Sequence, residues 1–140
     1  EGDGDRLALL PDPLGRRVRH VISENDRVLK VVEAFRSGNV PAVKPLLDQS
    51  HQSLREDYEV SVPEVDLLVE LAREDSDARG ARLTGGGFGG SILVAARASA
   101  GAALAQRVVR NYVARTARQA RIILPELPPT DLTDTPRPPI

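Results

Sequence analysis

The sequence predicts an α+β domain in which helices pack on a small antiparallel sheet. Apolar residues recur at spacings of three and four in three stretches between Arg16 and Asp75, which is typical of amphipathic helices. After Gly80 the pattern becomes strand-like, and a glycine-rich segment separates two strand patterns before a fourth helical pattern follows. Three helices followed by strand, strand, helix and strand are typical of an α+β arrangement.

The chain opens with a segment rich in Gly, Pro and Asp over residues 1–15, which predicts a leader or linker. The first helix is then expected over residues 16–36. Its predicted buried face consists of Val18, Val21, Ile22, Val28, Leu29, Val32 and Phe35. A second helical pattern lies between Asn39 and Tyr58, with two prolines that a helix tolerates only near its start.

The third helix has the clearest start signal in the chain. Ser61 and Glu64 have the spacing of a capping box, and Val60 and Val65 are placed for the accompanying hydrophobic staple. We therefore expect a helix that begins at this point and ends at about Asp75.

Strands are predicted over residues 81–84 and 91–96. Ser99 is placed to cap a fourth helix that ends near Gln119, with Leu104, Val108 and Tyr112 on its inner face. A short third strand is expected over residues 121–124. Six of the eleven prolines then fall in residues 125–140, which predicts a Pro-rich tail, so that the domain itself is expected over residues 16–124.

Composition excludes several classes of function. The 19 basic and 20 acidic residues give a net charge of −1, and aromatic residues make up only 3%, so a nucleic-acid partner is not indicated. The absence of cysteine removes disulfides and thiolate metal sites and favours a cytoplasmic location. The apolar stretches are too short to span a membrane. Because Met is absent and Glu stands at position 1, we expect the chain to be a piece of a longer protein.

The segment Gly85–Gly90 is the most informative for function. Five glycines in six positions leave the backbone amides open to close approach, which suits an anion such as phosphate. A strand rather than a helix is predicted to follow, which argues against a dinucleotide fingerprint, and no Lys-Ser or Lys-Thr follows as in a Walker loop. A tight turn between paired strands is the structural alternative.

Other polar residues are expected to have structural roles. His20 and His51 lack the spacing of a metal site, so packing or capping is predicted for them. The cluster of Arg16, Arg17 and Arg19 is expected to be a solvated helix flank. Glu24 and Arg27 are spaced to form an ion pair on the first helix. We predict no catalytic residue and no metal ligand in this sequence.

Three segments in the same order resemble those of galactokinases, which belong to the GHMP small-molecule kinases. Gly80–Gly90 is similar to their third signature motif, and Arg17–Val28 and Ser50–Val69 are similar to two further segments. The likeness covers about residues 7 to 124.

The resemblance implies ATP-dependent, magnesium-dependent phosphorylation of the anomeric hydroxyl of D-galactose. It assigns this chain to the carboxyl-terminal half, a ferredoxin-like domain, so the catalytic Asp and the Ser-rich phosphate loop would be supplied by an amino-terminal kinase half. The fragment alone is therefore expected to be inactive. The nucleotide-binding residues implied are those of the third motif: Thr84, Gly85, Gly86, Gly87, Phe88, Gly89 and Gly90.

Two alternatives remain open from the sequence. The chain could be a non-catalytic binding or regulatory module derived from such a kinase, or part of another GHMP sugar kinase such as one for N-acetylgalactosamine. The resemblance also implies a sheet with one strand missing, and an uncovered sheet edge is predicted to allow self-association.

Overall fold

The protein, as described by a computed structural model covering residues 9–97 and 99–125, has four α-helices packed on a two-stranded antiparallel sheet. The elements in chain order are α1 (Leu14–Arg36), a 3-10 turn (Val40–Ala42), α2 (Val43–Glu56), α3 (Pro63–Glu74), β1 (Ala78–Thr84), β2 (Ser91–Ala96) and α4 (Gly101–Thr116). The predicted α+β class is confirmed. Residues 1–8 of the predicted leader and residues 126–140 of the predicted tail lie outside the described residues.

The sheet is a hairpin in which Leu83 pairs with Ile92 and Thr84 with Ser91. The third strand predicted over residues 121–124 is wrong, because this segment has no regular secondary structure. Its side chains are open to solvent, and Ile123 is 68% exposed. A run of β-branched residues forms a strand only where a neighbouring strand accepts its hydrogen bonds, and β2 pairs only with β1 within residues 9–97 and 99–125.

The far edge of β1 lies against α2. The backbone N–H of Leu83 donates to Nδ1 of His51 at 3.3 Å. A Cβ added to Gly80, whose φ is +125°, would lie 2.9 Å from Cδ1 of Leu47. Glycine therefore allows the strand and the helix to approach closely, and this edge of the sheet is covered within the domain.

The core is formed by two clusters of buried side chains. The larger cluster joins α3, β1 and α4 and contains Val69, Leu71, Ala72, Ala78, Ala81, Leu104, Val108 and Tyr112. The smaller cluster contains Leu54, Val60, Val65 and Leu83. The predicted inner face of the fourth helix is thus confirmed, and Val60 and Val65 share one cluster as a hydrophobic staple requires.

The predicted buried face of α1 is wrong. Seven large apolar side chains of this helix are exposed, and we call them the outer face of α1: Leu14, Val21, Ile22, Val28, Leu29, Val32 and Phe35. The residues that α1 buries are Gly15, His20 and Ala34. Periodicity identifies residues that share one side of a helix, but it does not determine whether that side contacts the rest of the domain.

The predicted capping residues also differ from those in the structure. At α3 the N-cap position is held by Val62, and no side chain caps the helix. The Ser61 hydroxyl instead donates to the Asp66 carboxylate, a local side-chain contact formed in place of a capping bond. The fourth helix begins at Gly101 with Ala100, not Ser99, at the N-cap position, and it ends at Thr116.

An ion-pair network joins α3, β2 and α4. Arg107 binds the carboxylate of Asp75 through two hydrogen bonds of 2.7 and 2.8 Å and also contacts Asp77 at 2.8 Å. Arg97 binds Asp77 from the other side at 2.6 Å. The hydrogen bonds from Arg107 and from the backbone of Asp77 lower the pKa of Asp75 to about 2.

Among the helices of the described residues, none combines the length and the hydropathy of a membrane span.

Candidate functional site

The glycine-rich segment connects β1 and β2 as the loop of the hairpin. All seven residues implied by the family resemblance lie here: Thr84 is the last residue of β1, and Gly85, Gly86, Gly87, Phe88, Gly89 and Gly90 form the loop. The loop is not a two-residue turn, because six residues separate the paired ends at Thr84 and Ser91. Positive φ angles occur at four of its glycines and at Phe88, where φ is 59°.

One side of the loop is fixed to the segment that precedes α3. The backbone N–H of Phe88 donates to the carbonyl oxygen of Val60 at 2.7 Å. A Cβ added to Gly87 would lie 2.5 Å from that oxygen and 2.6 Å from the Val60 Cβ. Such distances are too short for any side chain, so Gly87 is required for the close contact between the two backbones.

The other side of the loop is open. A Cβ added to Gly86 or to Gly89 would meet nothing within 4 Å, and the side chain of Phe88 is 75% exposed. At Gly89 a φ of +122° favours glycine by itself, but Gly86 has no positive φ, so neither packing nor backbone conformation explains why Gly86 lacks a side chain. An open glycine backbone beside a fixed contact is the geometry that allows a compact anion to approach main-chain amides.

The segment that fixes the loop is itself held by arginines from the start of α1. Arg16 and Arg17 both bind the carboxylate of Glu59, at 2.6 and 2.5 Å. Arg17 also donates to the backbone carbonyl of Asp57, and Arg19 binds the Asp57 carboxylate at 3.0 Å. The hydrogen bond from Arg16, followed by that from Arg17, lowers the pKa of Glu59. The three arginines lie at the partly exposed start of α1, and each of them also has an acidic or carbonyl partner.

A polar cluster connects α1, α2 and β1 beneath the loop. The Glu24 carboxylate accepts a hydrogen bond from the Ser50 hydroxyl at 2.7 Å and from Arg27 at 2.9 Å, which confirms the predicted pair on α1. Arg82 of β1 binds the same carboxylate. Burial raises the pKa of Glu24, but the hydrogen bonds from Ser50 and Arg27 and the charge of Arg82 outweigh burial, so its pKa lies below the ordinary value.

His20 is buried between α1 and α2. Its ring stacks on Tyr58 with centroids 4.5 Å apart. Its Nδ1 lies 3.0 Å from the Ser53 hydroxyl, which in turn donates to the Asp57 carboxylate. Because the hydroxyl proton points to Asp57, the Ser53 oxygen accepts from His20, and the neutral ring carries its proton on Nδ1. Burial lowers the pKa of His20.

His51 has the opposite arrangement of ring nitrogens. Its Nδ1 accepts from the backbone N–H of Leu83, so the proton of the neutral ring lies on Nε2, 3.2 Å from the Asp66 carboxylate. Burial lowers the pKa of His51. Both histidines thus pack within the fold, as the sequence predicts. In the residues that the structure describes, no three His, Cys, Asp or Glu side chains are grouped so that they could hold a metal ion.

Spacing along the chain does not reveal how the loop is held. The sequence pattern indicates only a staple role for Val60, whereas in the structure its carbonyl oxygen is the acceptor for the loop. Nothing in the sequence pattern marks Glu59 as a partner of the arginines. The positive φ of Glu59, 57°, reflects a sharp turn that an Asp-Tyr-Glu segment does not indicate by composition.

Comparison with known proteins identifies the class to which this fold and loop belong. The family model described as GHMP kinases C terminal matches residues 31–114, which is more than half of the chain. The chain therefore belongs to the GHMP kinase family and corresponds to its C-terminal domain.

Within this family, the chain is similar to galactokinases. The galactokinases of Pasteurella multocida and Chloroflexus aggregans are each 44% identical to it, over 111 and 110 residues. These matches cover 79% of this chain but only 29% and 28% of the two relatives. The crystal structure of Lactococcus lactis galactokinase complexed with galactose superposes with a TM-score of 0.72 and 34% identity, over 79% of this chain and 29% of that chain. The predicted resemblance is confirmed, and the chain spans less than a third of the relatives' length.

Proposed function

We propose that this chain is the carboxyl-terminal part of an ATP-dependent galactokinase, which transfers a phosphoryl group to the anomeric hydroxyl of D-galactose. The observation that carries the proposal is the asymmetry of the glycine loop. Gly87 is needed for packing against Val60, whereas Gly86 and Gly89 face open space. Gly86 also lacks the positive φ that would favour glycine, and a bare backbone at this position fits a loop that approaches a phosphate group through its main chain.

The residues of the loop would bind ATP through their main chain. ATP supplies the transferred phosphoryl group when bound, and catalysis of this reaction depends on positioning and on stabilisation of charge. The loop residues Thr84, Gly85, Gly86, Gly87, Phe88, Gly89 and Gly90 would contribute to positioning by offering a surface without side chains beside a fixed backbone. Magnesium would be held by groups outside the described residues of this chain. The complete enzyme would act in the cytoplasm.

The catalytic base and the main phosphate loop would come from an amino-terminal half, so the 140-residue chain alone is proposed to be inactive. We would compare the chain with a chimera in which it replaces the matching 29% of Pasteurella multocida galactokinase. Galactose-dependent release of ADP is expected from the chimera and not from the chain alone. A folded chimera without turnover, or turnover by the chain alone above a no-protein control, would overturn the proposal.

Gly86→Val in the chimera tests the role of the loop. We expect kcat to fall by about tenfold or more, a barrier increase of roughly 1.4 kcal/mol, while the melting temperature changes little, since the new side chain points into open space. Gly101→Val is the matched control, because a Cβ there also meets nothing within 4 Å and the position is at the start of α4. Equal activity of the two variants would show that the loop is only a turn.

A further inference from the structure

The outer face of α1 contains seven large apolar side chains that are exposed to solvent. Leu29 is 70% exposed, Phe35 60% and Val28 53%. The face runs along a helix of 23 residues, which is about 35 Å long at 1.5 Å per residue. A predominantly apolar face of this length on the surface of a domain marks a surface that another part of a protein covers.

The polarity of α1 is reversed relative to an ordinary amphipathic surface helix. The side that contacts the rest of the domain carries His20, Ser23, Glu24 and Arg27, each with a hydrogen-bond partner. The side that contacts solvent carries the valines and leucines. Burial of apolar surface stabilises a fold by about 25 cal/mol per Å². The described domain therefore leaves exposed the side of α1 whose burial would stabilise it most.

We propose that the outer face of α1 is the docking surface for the amino-terminal part of a complete kinase chain. This inference rests on the proposed function, and it adds the surface through which the two parts meet. The matches cover only 27–30% of the relatives' length, so about 70% of a galactokinase lies outside the matched part. The occupant must present an apolar surface of its own, because the outer face consists of seven exposed apolar side chains.

The test uses a pair of substitutions on the outer face. Val28→Glu together with Val32→Glu places two charges on it, and glutamate has a higher helix propensity than valine. Lys30→Glu is the matched control: it changes the net charge by the same two units, and within the described residues Lys30 forms an exposed i,i+4 ion pair with Asp26. Both variants are made in the 140-residue chain and in the Pasteurella chimera, and melting temperature and mass in solution are measured.

In the 140-residue chain, the double variant is expected to melt within about 2 °C of the original or above it, because the two valines lie on the exposed side of the helix. In the chimera, it is expected to melt at least about 5 °C lower, because the charges would be buried against the amino-terminal part. The control is expected to change neither protein appreciably. These readouts do not depend on kinase activity, so an inactive chimera leaves them valid.

Several outcomes would overturn the docking surface. The chimera could tolerate both charges as well as the isolated chain does, or the isolated chain could be as strongly destabilised as the chimera. A stable dimer of the isolated chain that the double variant converts to monomer would show that a second copy covers the face.

Discussion

Phe88 and Val60 are joined backbone to backbone, with the Phe88 N–H donating to the Val60 carbonyl oxygen at 2.7 Å. This bond attaches the tip of the glycine loop to the segment between α2 and α3. Because neither side chain takes part, substitution of Phe88 leaves the hydrogen bond in place. The contact depends instead on Gly87, the neighbouring residue that lets the two backbones approach.

Gly87→Ala is therefore expected to destabilise the domain more than Gly86→Ala. At Gly87 the added methyl group would lie 2.5 Å from the Val60 carbonyl oxygen, and φ is +87°. The combined clash and backbone strain should lower the free energy of unfolding by about 2 kcal/mol or more. At Gly86 the methyl group meets nothing within 4 Å, and the loss should stay below about 0.5 kcal/mol.

Urea denaturation of the 140-residue chain, followed by circular dichroism, measures both values. If Gly86→Ala costs as much as Gly87→Ala, the division of the loop into a fixed side and an open side is incorrect.

Glu24→Gln tests the polar cluster between α1, α2 and β1. The substitution keeps the shape of the side chain but removes the negative charge that Arg27 and Arg82 share. Loss of one partner of a fully buried pair costs about 3–5 kcal/mol. The side chain of Glu24 is 17% exposed, so solvent reduces the effect, and we expect a loss of about 2 kcal/mol in the free energy of unfolding.

Asp26→Asn provides the comparison on the same helix. It makes the same chemical change, but Asp26 and its partner Lys30 are both more than half exposed. A change below about 0.5 kcal/mol is expected there. Similar losses for the two variants in denaturant titrations at pH 7 would contradict a special role for the cluster.

His20 and His51 are expected to make the domain less stable below pH 6.5. Burial lowers both pKa values from 6.5, so between the lowered values and 6.5 the unfolded chain binds more protons than the folded chain. The stability that each neutral ring contributes is complete above pH 6.5 and is lost as the pH falls through the lowered pKa. The slope is at most about 1.4 kcal/mol per pH unit for each histidine.

His20→Phe distinguishes the contribution of His20 to this pH dependence from that of His51. Phenylalanine retains a ring against Tyr58 but does not titrate. The free energy of unfolding, measured between pH 5 and 7.5, should therefore change less steeply with pH in the variant. The lost hydrogen bond to Ser53 lowers stability at pH 7.5 but does not affect this slope. The same slope in both proteins would mean that His20 does not titrate in this range.

Several elements follow directly from local patterns in the sequence. The apolar side of α4 is buried as predicted, because the residues that this helix buries in the core are Leu104, Val108 and Tyr112. The same pattern gave the wrong side of α1. There the polar residues find partners on α2 and β1, and these partners are distant in sequence, so spacing alone contains no information about them.

The sequence predicts which segment forms the candidate site, but it does not predict how the residues of that segment are arranged in space. The glycine motif marks Gly85–Gly90 as special, whereas the roles of individual glycines depend on what lies opposite each one. Val60 lies opposite Gly87, and open space lies opposite Gly86 and Gly89. Only a folded backbone distinguishes these positions.

The polar contacts of α1 allow the helix only one axial position. A helix that packs through valine and leucine alone can slide by one turn, about 5.4 Å, and still find apolar neighbours. A displacement of that size would separate His20 from Ser53 and Glu24 from Ser50 at the same time. The helix that carries the outer face is thus presented at a single height and rotation relative to the glycine loop.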